Sequence, residues 1–360
     1  MNDKKTAGGR ATKVGPAGGR GPFLPRGGPA WHYLALELTV LVLAVGTFAF
    51  GSEFQLELGA TVIAYSLLAL SMDFTWGCAG VMSLGQAFFF GVGAYVGGLL
   101  ATRGDVSSAL VTLPSAGAVS FIFAFAIGAF LLTGSRRGSV LFVSIATLVL
   151  SFTAQRVADA WNDIGAENGI PDVPQLTIGS FVFDTRASFI LALIALVAVY
   201  CLLRFVVRSQ LGLVLIAVRD DEERAMFLGY RPAVIKVLAF SLAGAVAGLG
   251  GALYAFQQGF VSPTLLAIGL STQAMLWVLV GGAGTLVGPV IGVILIQGLG
   301  QYLSQDLPKL WPIILGAVLL TVVLVARRGI AGWFLPRVPV PALDLAANET
   351  SVPRGSVDRG

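Results

Sequence analysis

An all-α polytopic membrane protein is the fold class this sequence predicts, and three observations predict it. Hydrophobic residues fill 56% of the 360 positions and charged residues only 12%, roughly half the charged share of an ordinary soluble protein. A soluble chain of this length needs more polar surface than that. Apolar runs long enough for membrane helices of about 20 residues recur along the chain. They are rich in Leu, Val, Ala, Gly and Phe and lack the alternating pattern of an outer-membrane barrel. The few charges also sort by side. Soluble globular, disordered and coiled-coil classes are thereby excluded. Two cysteines cannot make a disulfide framework, and the 46 glycines have no collagen period.

Ten spans follow in order: 33–50, 58–77, 84–101, 110–133, 139–158, 187–206, 235–256, 267–282, 288–303 and 310–326. The first lacks a small-residue cleavage site and is followed by further spans, so it reads as an uncleaved helix rather than a signal peptide. The eighth and ninth are short and joined by a Gly-rich stretch. A single re-entrant excursion is the alternative there. Residues 1–32 form a basic, Gly-rich tail expected to be disordered, and residues 327–360 a second tail. The spans and their connections, 33–326, form one transmembrane domain, with long loops at 159–186 and 207–235.

Basic residues concentrate on the cytoplasmic side of membrane proteins. With a cytoplasmic N-terminus and all ten spans, 19 of the 23 Lys and Arg fall inside or at inner span ends; Arg103, Arg156, Arg186 and Lys309 do not. Glu53, Glu57, Asp105, Asp159, Asp163, Glu167, Asp172, Asp184 and Asp306 fall outside. Both termini are then cytoplasmic. The net charge of +4 reads as this topology plus contact with anionic lipid, and not as a nucleic-acid surface.

Catalytic equipment is missing. No G-x-x-x-x-G-K-[ST] phosphate loop is present. The single histidine, His32, can build neither a metal cluster nor a Ser-His-Asp triad. Charges within spans are nearly confined to Glu37 and Asp73, which disfavours a proton-driven carrier or a charge-ringed channel. No metal, cofactor or catalytic residue is expected in this chain. Transport driven from outside the membrane domain remains.

The most informative stretch is Ser209 to Ala239. Asp220, Asp221, Glu222 and Glu223 are flanked by Arg219 and Arg224, and Ala225 and Gly229 follow. Ala217 to Leu228 reads as one short helix, Gly229 as its left-handed C′ residue and Pro232 as the stop beyond. Such a charged helix can dock a soluble partner; a merely solvated loop is the plainer alternative.

Glycines mark a second theme. Gly77, Gly80 and Gly85, then Gly281, Gly282, Gly284, Gly288 and Pro289, are expected to break helices or let backbones approach closely. Broken backbone at membrane depth is tolerated only where it is buried or lines a cavity. Asp73, Ser83, Gln86, Tyr95, Tyr254, Gln257, Gln273 and Gln297 lie near these breaks. They are candidates for a substrate path, or for interhelical hydrogen bonds. Phe88, Phe89 and Phe90 either line that path or face lipid.

These stretches resemble a known family. A-x-R-D at Ala217 to Asp220, the run Glu223-Arg224-Ala225 with Leu228-Gly229, and K-x-x-A-F-x-x-A-G-x-x-A-G-x-x-G-A-L-Y-A from Lys236 to Ala255 resemble the coupling loop of bacterial ABC-importer permeases of the branched-chain amino acid (LivM-like) type. Leu70 to Leu100 and Gly281 to Gly292 resemble two further segments of that family, in its order. Gln86 stands where the family commonly has His, which keeps hydrogen bonding and loses titration. In the loop after the fifth span, Glu167, Asn168 and Gly169 resemble the family's Gly-Gly-x-Asn-Gly run, with Ala166 at its second Gly.

The resemblance implies an ABC-importer permease fold in the inner membrane. It implies a docking knob formed by Asp221, Glu222, Arg224, Ala225 and Gly229, with Glu167, Asn168 and Gly169 facing a solute-binding protein. It further implies two ATP-binding subunits that hold ATP and Mg, and a homologous second permease. The expected cargo is a branched-chain or hydrophobic amino acid. Close relatives carry urea and short amides, so that substrate stays open, as does an ATP-independent channel or facilitator.

Overall fold

The computed structural model describes residues 51–133 and 140–306, together with residues 37, 39, 46–49, 316, 317 and 329. The two tails lie outside them apart from Gly329, as do most of spans 33–50 and 310–326. Eight of the ten expected spans coincide with described helices: α1 (Glu53–Asp73), α2 (Gln86–Thr102), α3 (Ala109–Leu132), α4 (Val140–Ala160), α5 (Thr185–Arg208), α8 (Pro232–Gln258), α9 (Ile268–Gly281) and α10 (Val287–Asp306). Between α5 and α8 lie α6 (Gln210–Asp220) and α7 (Glu222–Phe227). A two-residue hairpin, β1 (Thr177–Ile178) and β2 (Phe181–Val182), sits in the loop after α4.

Five of these helices are long and apolar enough to cross a membrane, α1 being counted with the turn that extends it to Cys78, whereas Gln86–Thr102, Ile268–Gly281 and Val287–Gln301 are shorter apolar helices. At about 1.5 Å per residue, the 14 residues of α9 reach about 21 Å, short of an apolar slab about 30 Å thick. Among the described residues, five of the eight coinciding spans are full-length helices and three are short ones beside broken chain.

α8 runs through the middle, packed against α1, α2 and α3. Its sequence explains why it can. Gly244 and Gly248, one turn apart, face Ala124 and Ser120 of α3; Gly250 faces Leu67 of α1; Gly251 faces the Phe90 carbonyl of α2. A Cβ at Gly251 would stand 1.8 Å from that carbonyl oxygen, and one at Gly93 of α2 would stand 2.0 Å from the Gly248 carbonyl. Without a hydrophobic driving force in lipid, close backbone approach supplies the contact that holds helices together. Ser120 Oγ adds a 3.2 Å hydrogen bond to the Phe89 carbonyl.

Phe88, Phe89 and Phe90 are buried, so they do not face lipid. Phe89 meets Phe240 of α8 edge-on at 5.4 Å. Phe90 lies 5.8 Å from the Tyr254 ring. Exposed apolar side chains instead cover α3, α4 and α5, among them Phe130, Leu141, Ile145 and Ile194. In a membrane protein these face acyl chains.

Two in-span charges meet. Glu37 accepts hydrogen bonds from Arg204 and from Tyr200 Oη at 2.7 Å. This pair ties the start of the first span to the end of α5. Cys78 is buried and Cys201 exposed, both free; packing accounts only for the first.

Replacing Gly251 by Val is expected to destabilise the fold by ~1–3 kcal/mol or more, the usual range for overpacking. A lowered thermal midpoint of purified protein in detergent checks it, with Gly269→Val as control, since nothing lies within 4 Å of a Cβ there.

Candidate functional site

The expected helix breaks converge on one place. After Asp73, α1 widens into a π turn, Phe74–Cys78, a rare feature that recurs at functional sites. Residues 79–85 then follow a buried, irregular course before α2 starts. Opposite them lies the 282–286 connection between α9 and α10, where Gly282, Gly284 and even Leu286 have positive φ.

Irregular backbone in an apolar slab needs partners for its N–H and C=O groups, and side chains from several elements supply them. Thr147 Oγ1 of α4 accepts from Leu84 N at 3.1 Å. Ser144 Oγ of α4 donates to the Met82 carbonyl at 2.8 Å. Ser83 Oγ accepts from Gly85 N at 3.3 Å, and Ser271 Oγ of α9 from Ala87 N at 3.0 Å. Val81 N reaches back to the Thr75 carbonyl at 2.9 Å.

Asp73 is the centre of the cluster. It is fully buried. One carboxylate oxygen accepts from Gly284 N, the other from Leu286 N at 3.0 Å. A single side chain thus closes the 282–286 connection onto the end of α1. Gly77 allows the approach: a Cβ there would stand 2.6 Å from Gly284 N and 2.7 Å from Asp73 Oδ1.

Gln86, beside it, donates from Nε2 to Thr75 Oγ1 at 3.0 Å, while its Oε1 is buried without a partner. Tyr95 Oη and both amide atoms of Gln257 are likewise buried and unpartnered. Tyr254 joins an aromatic group with Tyr65 at 5.3 Å, and Tyr65 lies 5.2 Å from Trp277.

Several expected residues land elsewhere. Gln273 is exposed on the far side of α9 from buried Ser271 and Ala274, because three or four residues separate neighbours on one helix face and two do not. Gly288 and Pro289 do not break a helix. They lie in the first turn of α10, where proline costs no intrahelical hydrogen bond. Gly288 N is capped by Thr285 Oγ1 at 3.0 Å.

The expected single helix over 217–228 is two helices. Asp221 has extended backbone (φ −155°) and N-caps α7 by accepting from Arg224 N at 3.1 Å. Gly229 takes the left-handed conformation expected of it (φ +87°). The charged residues are largely engaged within the chain. Asp221 pairs with Arg224 at 2.7 Å, and Glu222 with Lys236 of α8 at 2.7 Å. Ala225 is buried and so is absent from any outward knob. Apolar side chains project beside exposed Glu222, Glu223 and Arg224: Phe227 is 90% and Leu228 75% exposed, with Met226 and Tyr230 next to them. Three consecutive apolar residues after a charged run were the available signal, since a six-residue helix cannot bury all three on one side.

In the 159–186 loop, Glu167 and Asn168 are exposed on a 3₁₀ turn. Gly169 is buried with φ +70°, where a Cβ would stand 2.1 Å from the Val261 carbonyl. It lets Ile170 pair with Val261 through hydrogen bonds of 2.8 and 3.0 Å.

The family model for the permease component of branched-chain amino acid transport systems matches residues 54–323, a range that contains both breaks, α6 and α7. The chain belongs to this permease family. Among its relatives, the high-affinity branched-chain amino acid permease protein LivM of Salmonella typhimurium is 26% identical over 326 residues, covering 84% of this chain and 75% of LivM. LivM of Escherichia coli matches to the same extent. BraD of Pseudomonas aeruginosa, another high-affinity branched-chain amino acid permease protein, is 25% identical over 300 residues, 77% of this chain and 95% of BraD. The autoinducer 2 import permease LsrC of Salmonella typhi aligns over 120 residues only, at 32% identity. No solved structure matches the chain. The permease family accounts for a membrane protein whose distinctive parts are broken helices.

Asp73→Asn is expected to cost ~1–3 kcal/mol, because one of the two backbone N–H groups then loses its acceptor in a buried site. Asp73→Ala is expected to cost more. Thermal unfolding of the purified permease, with Gln273→Ala as an exposed control, measures both.

Proposed function

We propose that this permease is the membrane subunit of an ATP-binding-cassette importer that carries branched-chain or other hydrophobic amino acids across a bacterial inner membrane. One observation carries the reading: the exposed apolar tip of α7, Phe227 and Leu228, stands beside a helix, α6, that is packed against the broken segment. Exposed aromatic and aliphatic side chains of this kind anchor protein interfaces. With the cytoplasmic orientation that the basic residues favour, the partners at this tip are two separate ATP-binding subunits, which hold ATP and Mg. Nothing in the sequence could bind a nucleotide phosphate in a P-loop.

An extracytoplasmic binding protein delivers solute to the opposite side, where Glu167 and Asn168 are exposed. A second, homologous permease completes the pathway. ATP binding draws the ATPases together and shifts α7. The cavity alternates between outward and inward access, with both termini cytoplasmic. The relatives LivM and BraD are named for branched-chain amino acid transport, which supports the cargo. The unpartnered Gln86 Oε1 and the Tyr65–Tyr254 group offer hydrogen bonds and apolar surface of the kind such a solute needs.

Phe227→Asp is expected to lower the amount of ATP-binding subunit that co-purifies at least tenfold while leaving the permease in the membrane. Glu222→Lys with Glu223→Lys is expected to abolish ATP-dependent uptake. A passive channel would retain uptake in both. Calorimetric titration of the partner binding protein with leucine, isoleucine, valine and urea decides the cargo, and tight binding of urea alone would replace the amino acid assignment.

A further inference from the structure

Arg219 is not where its sequence context puts it. It sits in the last turn of α6, beside the acidic run, yet its side chain is only 7% exposed. Its guanidinium donates to the carbonyl of Gly77, inside the π turn. Gly80, with φ +69°, makes room for it: a Cβ there would stand 2.5 Å from Arg219 Cγ. A π turn leaves a carbonyl without its α-helical partner, and Arg219 supplies the missing donor from another element. Asp220 Oδ1, at 3.4 Å, holds the other side of the guanidinium.

Two residues from Arg219 the chain enters α7, capped by Asp221. Four residues before Gly77, Asp73 grips Gly284 and Leu286 in the 282–286 connection. Gly77 itself touches that connection, since a Cβ on it would strike Gly284. From α7 to Arg219 the link is two residues of chain, and from Arg219 to the 282–286 connection each link is a hydrogen bond or a close backbone contact, the kind of tight packing that transmits displacement.

We propose that Arg219, Gly77 and Asp73 form a strut that carries movement of α7 to the α9–α10 connection, with Arg219 as a positioning residue that couples ATP turnover to passage of solute. This rests on the importer reading. In that setting α7 is gripped at its apolar tip, and the strut is the route by which its shift reaches the broken helices. Arginine suits the task better than lysine, since its fork can hold the Gly77 carbonyl and the Asp220 carboxylate together in fixed geometry.

The test is the number of solute molecules moved per ATP hydrolysed. The permease, its ATP-binding subunits, second permease and binding protein are reconstituted in liposomes, and uptake of radiolabelled leucine is measured alongside phosphate release. Arg219→Gln is expected to lower uptake per ATP at least fivefold, and Arg219→Lys to fall between it and the wild type. Asp73→Asn, at the other end of the strut, is expected to lower the same ratio. Combined with Arg219→Lys, it should give a ratio no lower than the worse single variant, because one broken link already interrupts the route.

A ratio for Arg219→Gln within twofold of wild type overturns the proposal, including the case in which uptake and hydrolysis fall together, which marks a docking role. Should Arg219→Gln fail to assemble, Arg219→Lys and Asp73→Asn carry the same measurement. Multiplying losses in their combination then overturn the strut. A wild-type assembly that takes up no leucine, isoleucine, valine or urea upon ATP addition overturns the importer reading itself. A wild type that pumps, with Arg219→Gln at full ratio, overturns the strut alone.

Discussion

A backbone N–H or C=O that leaves a helix inside an apolar slab must find a partner, because neither water nor lipid supplies one at that depth. This requirement organises the centre of the molecule. Helix α1 opens into a π turn, residues 79–85 run without helical bonds, and the chain breaks again at 282–286. Each break frees polar groups, and several of them are met by side chains from distant parts of the chain. Thr147 and Ser144 on α4, Ser271 on α9, Asp73 on α1 and Arg219 on α6 all answer to it. Four elements are thereby held to these stretches of broken chain. Unsatisfied, each group would cost ~1–3 kcal/mol or more, a large fraction of the margin by which any fold is stable.

The glycines follow from the same geometry. Side chains such as Thr147 and Asp73 are short, so the elements that carry them must come close. Gly85 lies against Thr147, and a Cβ there would stand 2.4 Å from the Thr147 carbonyl. A Cβ at Gly281 would stand 1.9 Å from the Gly288 carbonyl, and its absence lets α9 and α10 pack closely at their shared end. High glycine content thus serves two purposes here. It permits positive φ at a few breaks such as Gly80 and Gly284, and it permits packing around α8 where the helices remain intact.

Much of this could be read from the chain and some could not. The apolar spans were visible as runs, because lipid rewards length and composition directly. Gly229 was visible as a helix terminator, because only one backbone conformation suits a glycine at that place. Gly77, Gly80 and Gly85 were visible as breaks. Thr147, Ser144 and Ser271 were not, since a lone hydroxyl in an apolar helix usually bonds its own preceding turn, and nothing local marks which of them serves a neighbour. Arg219 was hidden for a related reason. Charge counting assigns an arginine to a side, and a residue on the expected side can still turn inward. The acids at 220–223 drew attention as a docking surface. Asp221 and Glu222 pair with Arg224 and Lys236, and the exposed apolar side chains of Phe227 and Leu228 beside them left no mark in the charge pattern.

The two carboxylates that lie within apolar spans among the described residues bear on what drives the protein. Glu37 is engaged by Tyr200 and Arg204, and Asp73 by two backbone N–H groups. A proton carrier needs a carboxyl group that can gain and lose its proton during the cycle without collapse of its surroundings. Protonating Asp73 would exchange an acceptor for a donor facing Gly284 or Leu286, and the α9–α10 connection would lose its hold on α1. Protonating Glu37 would leave Arg204 without its counter-charge. Both acids therefore hold neighbouring elements together. In the importer proposed above, the work comes from another subunit, and the apolar tip of α7 is the surface offered to it.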